Sequence, residues 1–76
     1  MTILDERERF AERLRSLGFE PLPSHANFLY VPVDEPQGFA DQLLNQGFAV
    51  RPVRGGIRIT IRNERDDERL IAVLGD

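Results

Sequence analysis

Three stretches of the sequence place apolar residues three or four positions apart, which is the spacing of one face of an α-helix. The first runs from Thr2 to Leu17, and the glycine that follows it suits a helix end. The second follows Asp34 and the third follows Asn63, and both of these residue types cap helix N-termini. The predicted buried positions are Phe10, Ala11, Leu14 and Leu17 in the first helix, Phe39, Ala40, Leu43 and Leu44 in the second, and Leu70, Ile71 and Leu74 in the third.

Residues 27–33 (Asn-Phe-Leu-Tyr-Val-Pro-Val) predict a strand, and both of its faces are apolar. A strand of this kind is usually covered on both sides. The preceding residues 19–24 contain two prolines and are predicted to be extended. Two alternatives stay open for the strand face that points away from the helices: Phe28 with Tyr30, or Leu29 with Val31 and Val33.

Residues 50–62 predict a β-hairpin, because apolar and polar side chains alternate with period two around Gly55-Gly56. Glycine reaches positive φ without a Cβ clash, so a two-residue turn is expected at these two glycines. That register buries the isoleucines on one face and places Arg51 opposite Thr60 on the other face. Arg58 lies on this second face with them, as does Arg62.

The predicted order of elements is α-β-α-β-β-α, and the predicted fold class is α+β. Three helices on one face of a small sheet would bury every apolar stripe, which makes a two-layer sandwich. Residues 1–76 form a single domain in this interpretation, because the sequence contains no linker and no repeat.

Composition narrows the function classes. The formal net charge of −3 and the isoelectric point near 5.1 argue against a nucleic-acid partner, and the hairpin has no aromatic residue on which RNA bases could stack. No stretch is apolar enough to span a membrane and no cysteine is present, so the expected location is the cytoplasm. Opposite charges at helical spacing, such as Glu6 with Arg9, are expected on the solvent side of the first helix. All ten basic residues are arginine, so this chain cannot form a Schiff base through a lysine.

The arginines of the hairpin are the main candidate site. The guanidinium of Arg58 or Arg51 offers a planar fork that matches a carboxylate or a phosphate, although arginine is also common on exposed sheet faces. Asn27 directly precedes a strand and could orient a ligand or make a loop hydrogen bond. His25 is the single histidine, and no second metal ligand stands at motif spacing from it, so a surface-loop position is favoured and no metal site is expected.

An ordered set of short motifs resembles a known family. The set consists of Glu-Arg-Glu-Arg-Phe at residues 6–10, Leu-Gly-Phe at 17–19, Pro-Ser-x-Ala-Asn-Phe at 23–28, Gln-Gly at 46–47, Val-Arg-Pro at 50–52 and Ile-Arg-Ile-Thr at 57–60. Together they resemble the C-terminal small domain of the fold-type I pyridoxal-phosphate (PLP) aminotransferases, nearest to the histidinol-phosphate aminotransferase branch. The resemblance covers residues 3 to 74.

The resemblance implies roles for three residues. The position that matches Arg58 grips the α-carboxylate of the amino-acid substrate in that family, and the position that matches Arg51 contacts the distal group of the substrate. The position that matches Asn27 lies near the wall of the active site. The PLP-binding large domain of the family has no counterpart in this sequence, so the chain alone is expected to bind no cofactor and to catalyse no transamination.

Three hypotheses therefore stay open. The first is a substrate-recognition domain whose partner is the large PLP-binding domain and whose ligand is an amino acid or another small carboxylate. The second is an autonomous module that binds a small anion without turnover. The third is an interaction domain that self-associates through an exposed, partly apolar sheet face.

Overall fold

The elements of the fold follow the predicted order, with one additional strand. The computed structural model describes residues 3–25 and 27–75, and only the backbone of residues 23–25. In the described part of the chain, no helix is long and apolar enough to cross a membrane. The elements are α1 (Ile3–Ser16), β1 (Leu22–His25), β2 (Phe28–Pro32), α2 (Pro36–Asn45), β3 (Arg51–Val53), β4 (Gly56–Thr60) and α3 (Glu64–Leu74).

The four strands form one antiparallel sheet in the order β1-β2-β4-β3. The stretch that was expected only to be extended pairs with β2 and becomes an edge strand, β1. Both edge strands contain a proline, Pro23 in β1 and Pro52 in β3. Proline has no N–H to donate and is tolerated at a sheet edge, so these two residues also protect the edges from pairing with another chain.

All three helices contribute to one apolar layer against one face of the sheet, which confirms the predicted α+β class and two-layer arrangement. The alternating residues of β2 and β4 that point toward the helices are almost completely buried, and so are most of the stripe residues of the helices. The core consists of Phe10, Ala11, Leu14, Leu29, Val31, Leu43, Ile57, Ile59, Ile61, Leu70 and Ile71.

The helix ends partly follow the predictions. The side chain of Asn63 accepts a hydrogen bond from the backbone N–H of Asp66 at 2.9 Å, so the predicted cap of α3 is confirmed. The predicted cap of α2 is wrong, because α2 begins at Pro36 and its N-cap is Glu35 rather than Asp34, without a side-chain hydrogen bond. Thr2 lies outside the described residues.

Two predicted core positions are exposed. Leu17 is 36% exposed because α1 ends at Ser16 and the chain already turns there. Leu44 is 62% exposed, since α2 meets the core through Ala40 and Leu43 instead. The widths of these two apolar stripes were therefore overestimated.

The hairpin register differs from the predicted one. Arg51 pairs with Arg58 and Val53 pairs with Gly56, so the two-residue turn consists of Arg54 and Gly55. A turn at Gly55-Gly56 is therefore wrong by one position, and Arg51 does not lie opposite Thr60. Gly55 has a φ of +80°, while no non-glycine residue in the described chain has positive φ, so positive φ is needed only at the second turn position, as in a type II turn.

Candidate functional site

The sheet face turned away from the helices carries the predicted arginines, and we call it the open face. Its residues are Phe28, Tyr30, Arg51, Arg58 and Thr60, which alternate with the core residues of the same strands. Of the two alternatives for β2, it is thus the aromatic pair that faces away from the helices. Both of these aromatic rings come from β2 and none from the hairpin. The lack of stacking aromatics is therefore no longer an argument against RNA binding, and the acidic net charge is the argument that remains.

One row of residues crosses all four strands of this face. Leu22 pairs with Tyr30, Tyr30 pairs with Arg58, and Arg58 pairs with Arg51. The corrected register therefore brings the two predicted arginines directly opposite each other, closer than the predicted diagonal arrangement would. Arg58 is half-buried in the middle of the row, and Arg51 is exposed at its edge.

The two arginines form a pair of like charges without a counter-ion. Like charges directly opposite each other in adjacent strands are destabilising. Across residues 3–25 and 27–75, neither guanidinium has a carboxylate within 4.0 Å, whereas Arg9, Arg13 and Arg15 of α1 all do. The open face thus concentrates positive charge that is not neutralised within the described chain, and an anionic ligand would relieve the repulsion.

Arg58 also contacts an aromatic ring. Its guanidinium carbon lies 4.5 Å from the centroid of the Phe28 ring. Phe28 is opposite Thr60, so Arg58 reaches it along the diagonal between β4 and β2. A cation above an aromatic face is attracted by the ring quadrupole.

Tyr30 fixes the hairpin turn against β2. Its hydroxyl donates a hydrogen bond to the carbonyl oxygen of Arg54 at 3.1 Å. Its ring covers Gly56, where an added Cβ would lie 2.9 Å from the tyrosine Cζ and would also press on the carbonyl oxygen of Val31. Because only glycine fits beneath this ring, Gly56 fixes the position at which Arg58, two residues later, enters the open face.

The other predicted site residues lie at the end of β2. Asn27 is exposed, and its backbone carbonyl accepts a hydrogen bond from the N–H of Ile61 at 2.8 Å. Its side-chain amide makes no hydrogen bond to another described residue, and it does not join the row that contains the arginines. His25 ends β1, and its side chain lies outside the description, as does all of Ala26.

A charged cluster between α1 and α3 was not predicted. Glu6 is only 3% exposed, so its predicted position on the solvent side is wrong. Arg9 binds it through two hydrogen bonds, Nε to Oε1 at 2.8 Å and Nη2 to Oε2 at 2.9 Å, and reaches Glu68 of α3 at 2.6 Å. Asp67, also 3% exposed, lies against Glu6. The cluster lies in the helical layer, away from the open face, and joins the first helix to the last.

Burial and, to a smaller extent, the hydrogen bond with Glu6 raise the pKa of Asp67 to about 7, although the backbone N–H of Arg62 acts to lower it. The hydrogen bonds from Arg9 lower the pKa of Glu6. Asp67 Oδ2 is buried without a donor in the described structure. A proton on this oxygen, donated to Glu6, would satisfy it and would be shared by the two acids.

A groove of about 630 Å³ lies beside α2, away from the arginine row. Its lining includes the apolar residues Phe19, Pro32, Val33 and Phe39, and the acidic edge of the lining consists of the exposed residues Asp34 and Glu35. None of the predicted site residues lines it. Its acidic edge is unsuited to a carboxylate or a phosphate, so the open face remains the better candidate for an anion.

Comparison with known proteins identifies relatives of this arrangement. The family model described as aminotransferase class I and II matches residues 1–74. A histidinol-phosphate aminotransferase 1 from Carboxydothermus hydrogenoformans is 37% identical over 79 residues, which cover 97% of this chain and 23% of the relative. A histidinol-phosphate aminotransferase from Staphylococcus haemolyticus is 41% identical over 69 residues, which cover 91% of this chain and 19% of the relative.

The fold has a counterpart among solved structures. A crystal structure of a protein described as an aminotransferase, from Burkholderia pseudomallei, superposes with a TM-score of 0.85 at 33% identity. The match covers 96% of this chain and 24% of that one. The chain therefore spans about a fifth to a quarter of the length of these relatives.

Proposed function

Because the chain belongs to the class I and II aminotransferase family, we propose that it is the substrate-recognition small domain of a histidinol-phosphate aminotransferase-like enzyme. One observation supports this proposal most strongly. Two arginines lie directly opposite each other on β3 and β4, and neither has a carboxylate partner in the described chain. Such a pair destabilises a sheet unless a ligand compensates for it.

Arg58 binds the α-carboxylate of the amino-acid substrate in this proposal. Its half-buried position in a central strand limits the freedom of its side chain, and its planar fork can donate two parallel hydrogen bonds to a carboxylate. Arg51 lies beside it at the exposed edge and faces a second acidic group of the substrate, such as the side-chain carboxylate of glutamate. Asn27, whose side-chain amide makes no hydrogen bond to another described residue, directly precedes β2 and could line the same site from one side.

The cofactor of the family is not held by this chain. PLP attaches to aminotransferases through a lysine amine, and the sequence has no lysine. The chain alone therefore does not transaminate in this proposal. The rest of an aminotransferase, which supplies PLP, would cover the open face and is the expected partner; the cytoplasm is the expected compartment.

A chimaeric enzyme tests this proposal. Residues 1–74 would replace the matched segment of the Carboxydothermus relative, and amino transfer from histidinol phosphate to a 2-oxo acid would be measured. We expect activity in the chimaera. Arg58→Ala should lower kcat/KM about 10- to 100-fold, because charge-assisted hydrogen bonds to the carboxylate of the 2-oxo acid or to the phosphate of histidinol phosphate are lost. Arg69→Ala is the matched control, since Arg69 is exposed on α3 without an ion pair in the described structure.

The outcomes separate the hypotheses. An active chimaera in which Arg58→Ala and Arg69→Ala have equal effects would contradict the role of Arg58. A folded chimaera that carries PLP but has no activity would contradict the domain assignment. In that second case, saturable binding of a small anion by the isolated chain would favour an autonomous binding module. Concentration-dependent association without such binding would favour a self-associating domain, to which the 53%-exposed Leu22 could contribute.

A further inference from the structure

Arg58 has an aromatic support that Arg51 lacks. The guanidinium carbon of Arg58 lies 4.5 Å from the centroid of the Phe28 ring, and no other cation–ring contact is found in the described part of the chain. Phe28 is itself half-buried in β2, next to the core residue Leu29, so its ring is held by a central strand. The two arginines of the row therefore differ in how they are held, although they lie directly opposite each other.

The ring contact suits an anion-binding arginine. An arginine side chain has several rotatable bonds, and ordering it for a ligand costs conformational free energy. A contact with an aromatic ring restricts the side chain without neutralising its charge, and it requires none of the five N–H donors. A salt bridge would restrict the side chain too, but it would compete with the ligand carboxylate. Phe28 thus orders the guanidinium and leaves its donors available.

We propose that Phe28 is a positioning residue, which holds the Arg58 guanidinium in place for a substrate carboxylate. This inference rests on the proposed function of Arg58. It assigns a role to the phenylalanine of the Ala-Asn-Phe motif, which directly follows Asn27. It also predicts that Arg58 is ordered before the ligand arrives, which reduces the cost of binding.

The first test observes the side chain directly in the free protein. The δ-protons of Arg58 should be shifted upfield by the ring in the wild-type NMR spectrum, relative to those of Arg51. Phe28→Leu should remove this shift, and Phe28→Tyr, which keeps a ring, should retain it. Wild-type Arg58 protons without an upfield shift would overturn the inference, whatever the variants do.

The second test measures binding of glutamate to the same proteins by backbone amide shifts. Phe28→Leu should weaken the affinity about two- to five-fold, as expected for the loss of a partly exposed cation–ring contact. Phe28→Tyr should restore it, and this rescue separates positioning from general damage to the strand. If wild type and Phe28→Leu bind glutamate equally well, the inference fails while the proposed function stands. If the wild type binds no carboxylate, both fail together.

Discussion

Replacing Asp67 with asparagine should remove most of the dependence of stability on pH between about pH 5 and pH 7. Asp67 is buried against Glu6 of α1, and its Oδ1 accepts a hydrogen bond from the backbone N–H of Arg62. The other charged groups nearby are Arg9, which binds Glu6, and Glu68, the next residue of α3. Its pKa is raised from the ordinary 3.8 to about 7, first by burial and then by Glu6. The folded protein therefore keeps a proton here that the unfolded chain releases.

The sign of the effect follows from proton linkage. Between the unfolded and the folded pKa of Asp67, the folded state binds more protons, so the free energy of unfolding falls as pH rises. The loss is about 2 kcal/mol from pH 5 to pH 7, and the whole effect, counted from below the unfolded pKa to above the folded one, is about 4 kcal/mol. The pKa of Glu6 is lowered, so Glu6 adds stability that is present above about pH 5 and is lost only as the pH falls below that range.

Asparagine preserves the shape of the site without a titrating group. Its carbonyl oxygen can accept the N–H of Arg62, and its amide can donate to Glu6. Urea unfolding followed by circular dichroism at pH 5, 6 and 7 would compare wild type with Asp67→Asn. We expect a decline in the wild type and a nearly flat profile in the variant. A wild-type stability that is constant or rises with pH, or the same slope in both proteins, would refute the shared proton.

Four further substitutions test the fold, each by urea unfolding. Gly56→Ala should destabilise the protein by about 1–3 kcal/mol, because the added Cβ would press on Tyr30 and on the backbone of Val31. Gly38→Ala in α2 is the control, since a Cβ has space there, and it should stabilise the protein by up to about 1 kcal/mol. Equal effects of the two substitutions would contradict the close packing at Gly56. Tyr30→Phe should cost about 1 kcal/mol through the lost hydrogen bond to Arg54, and a neutral effect would mean that the hydroxyl does not hold the turn. Asn63→Ala should cost about 1 kcal/mol by removing the cap of α3, and unchanged stability would show that the cap is dispensable.

The fold was predictable because its local patterns agree with one another. Period-two alternation in residues 57–61 predicts the strand β4, and the cap at Asn63 predicts the start of the helix α3; the structure contains both elements. The hairpin register was not predictable from the glycines alone, since either pair of turn residues buries the isoleucines. The choice depends on Tyr30, whose ring leaves no room for a Cβ at Gly56 and whose hydroxyl donates a hydrogen bond to the carbonyl oxygen of Arg54. Tyr30 is at least 24 residues away from both of these residues in the sequence, so the local pattern does not reveal these contacts.

The acid pair was missed although the sequence contains a signal for it. Glu6 precedes Phe10 by four positions, and Asp67 precedes Ile71 by four, so each acid extends a buried stripe by one turn. Helical pairing of Glu6 with Arg9 favoured a surface position for Glu6. Asp67 lies in the first turn of α3, where the helix dipole favours an acidic residue without any buried partner. Neither pattern indicates that two helices, distant in sequence, bring both acids together.

The most direct test of the central claim is an NMR titration of the 76-residue chain with glutamate, phosphate and histidinol phosphate. Wild type, Arg58→Ala and Arg69→Ala would be followed by their backbone amide shifts. We expect saturable shifts around Arg51, Arg58 and Thr60 in the wild type and in Arg69→Ala, and their loss in Arg58→Ala. Shifts that persist in Arg58→Ala, or a folded wild type that shows none, would contradict the assignment of the open face as a carboxylate-binding site.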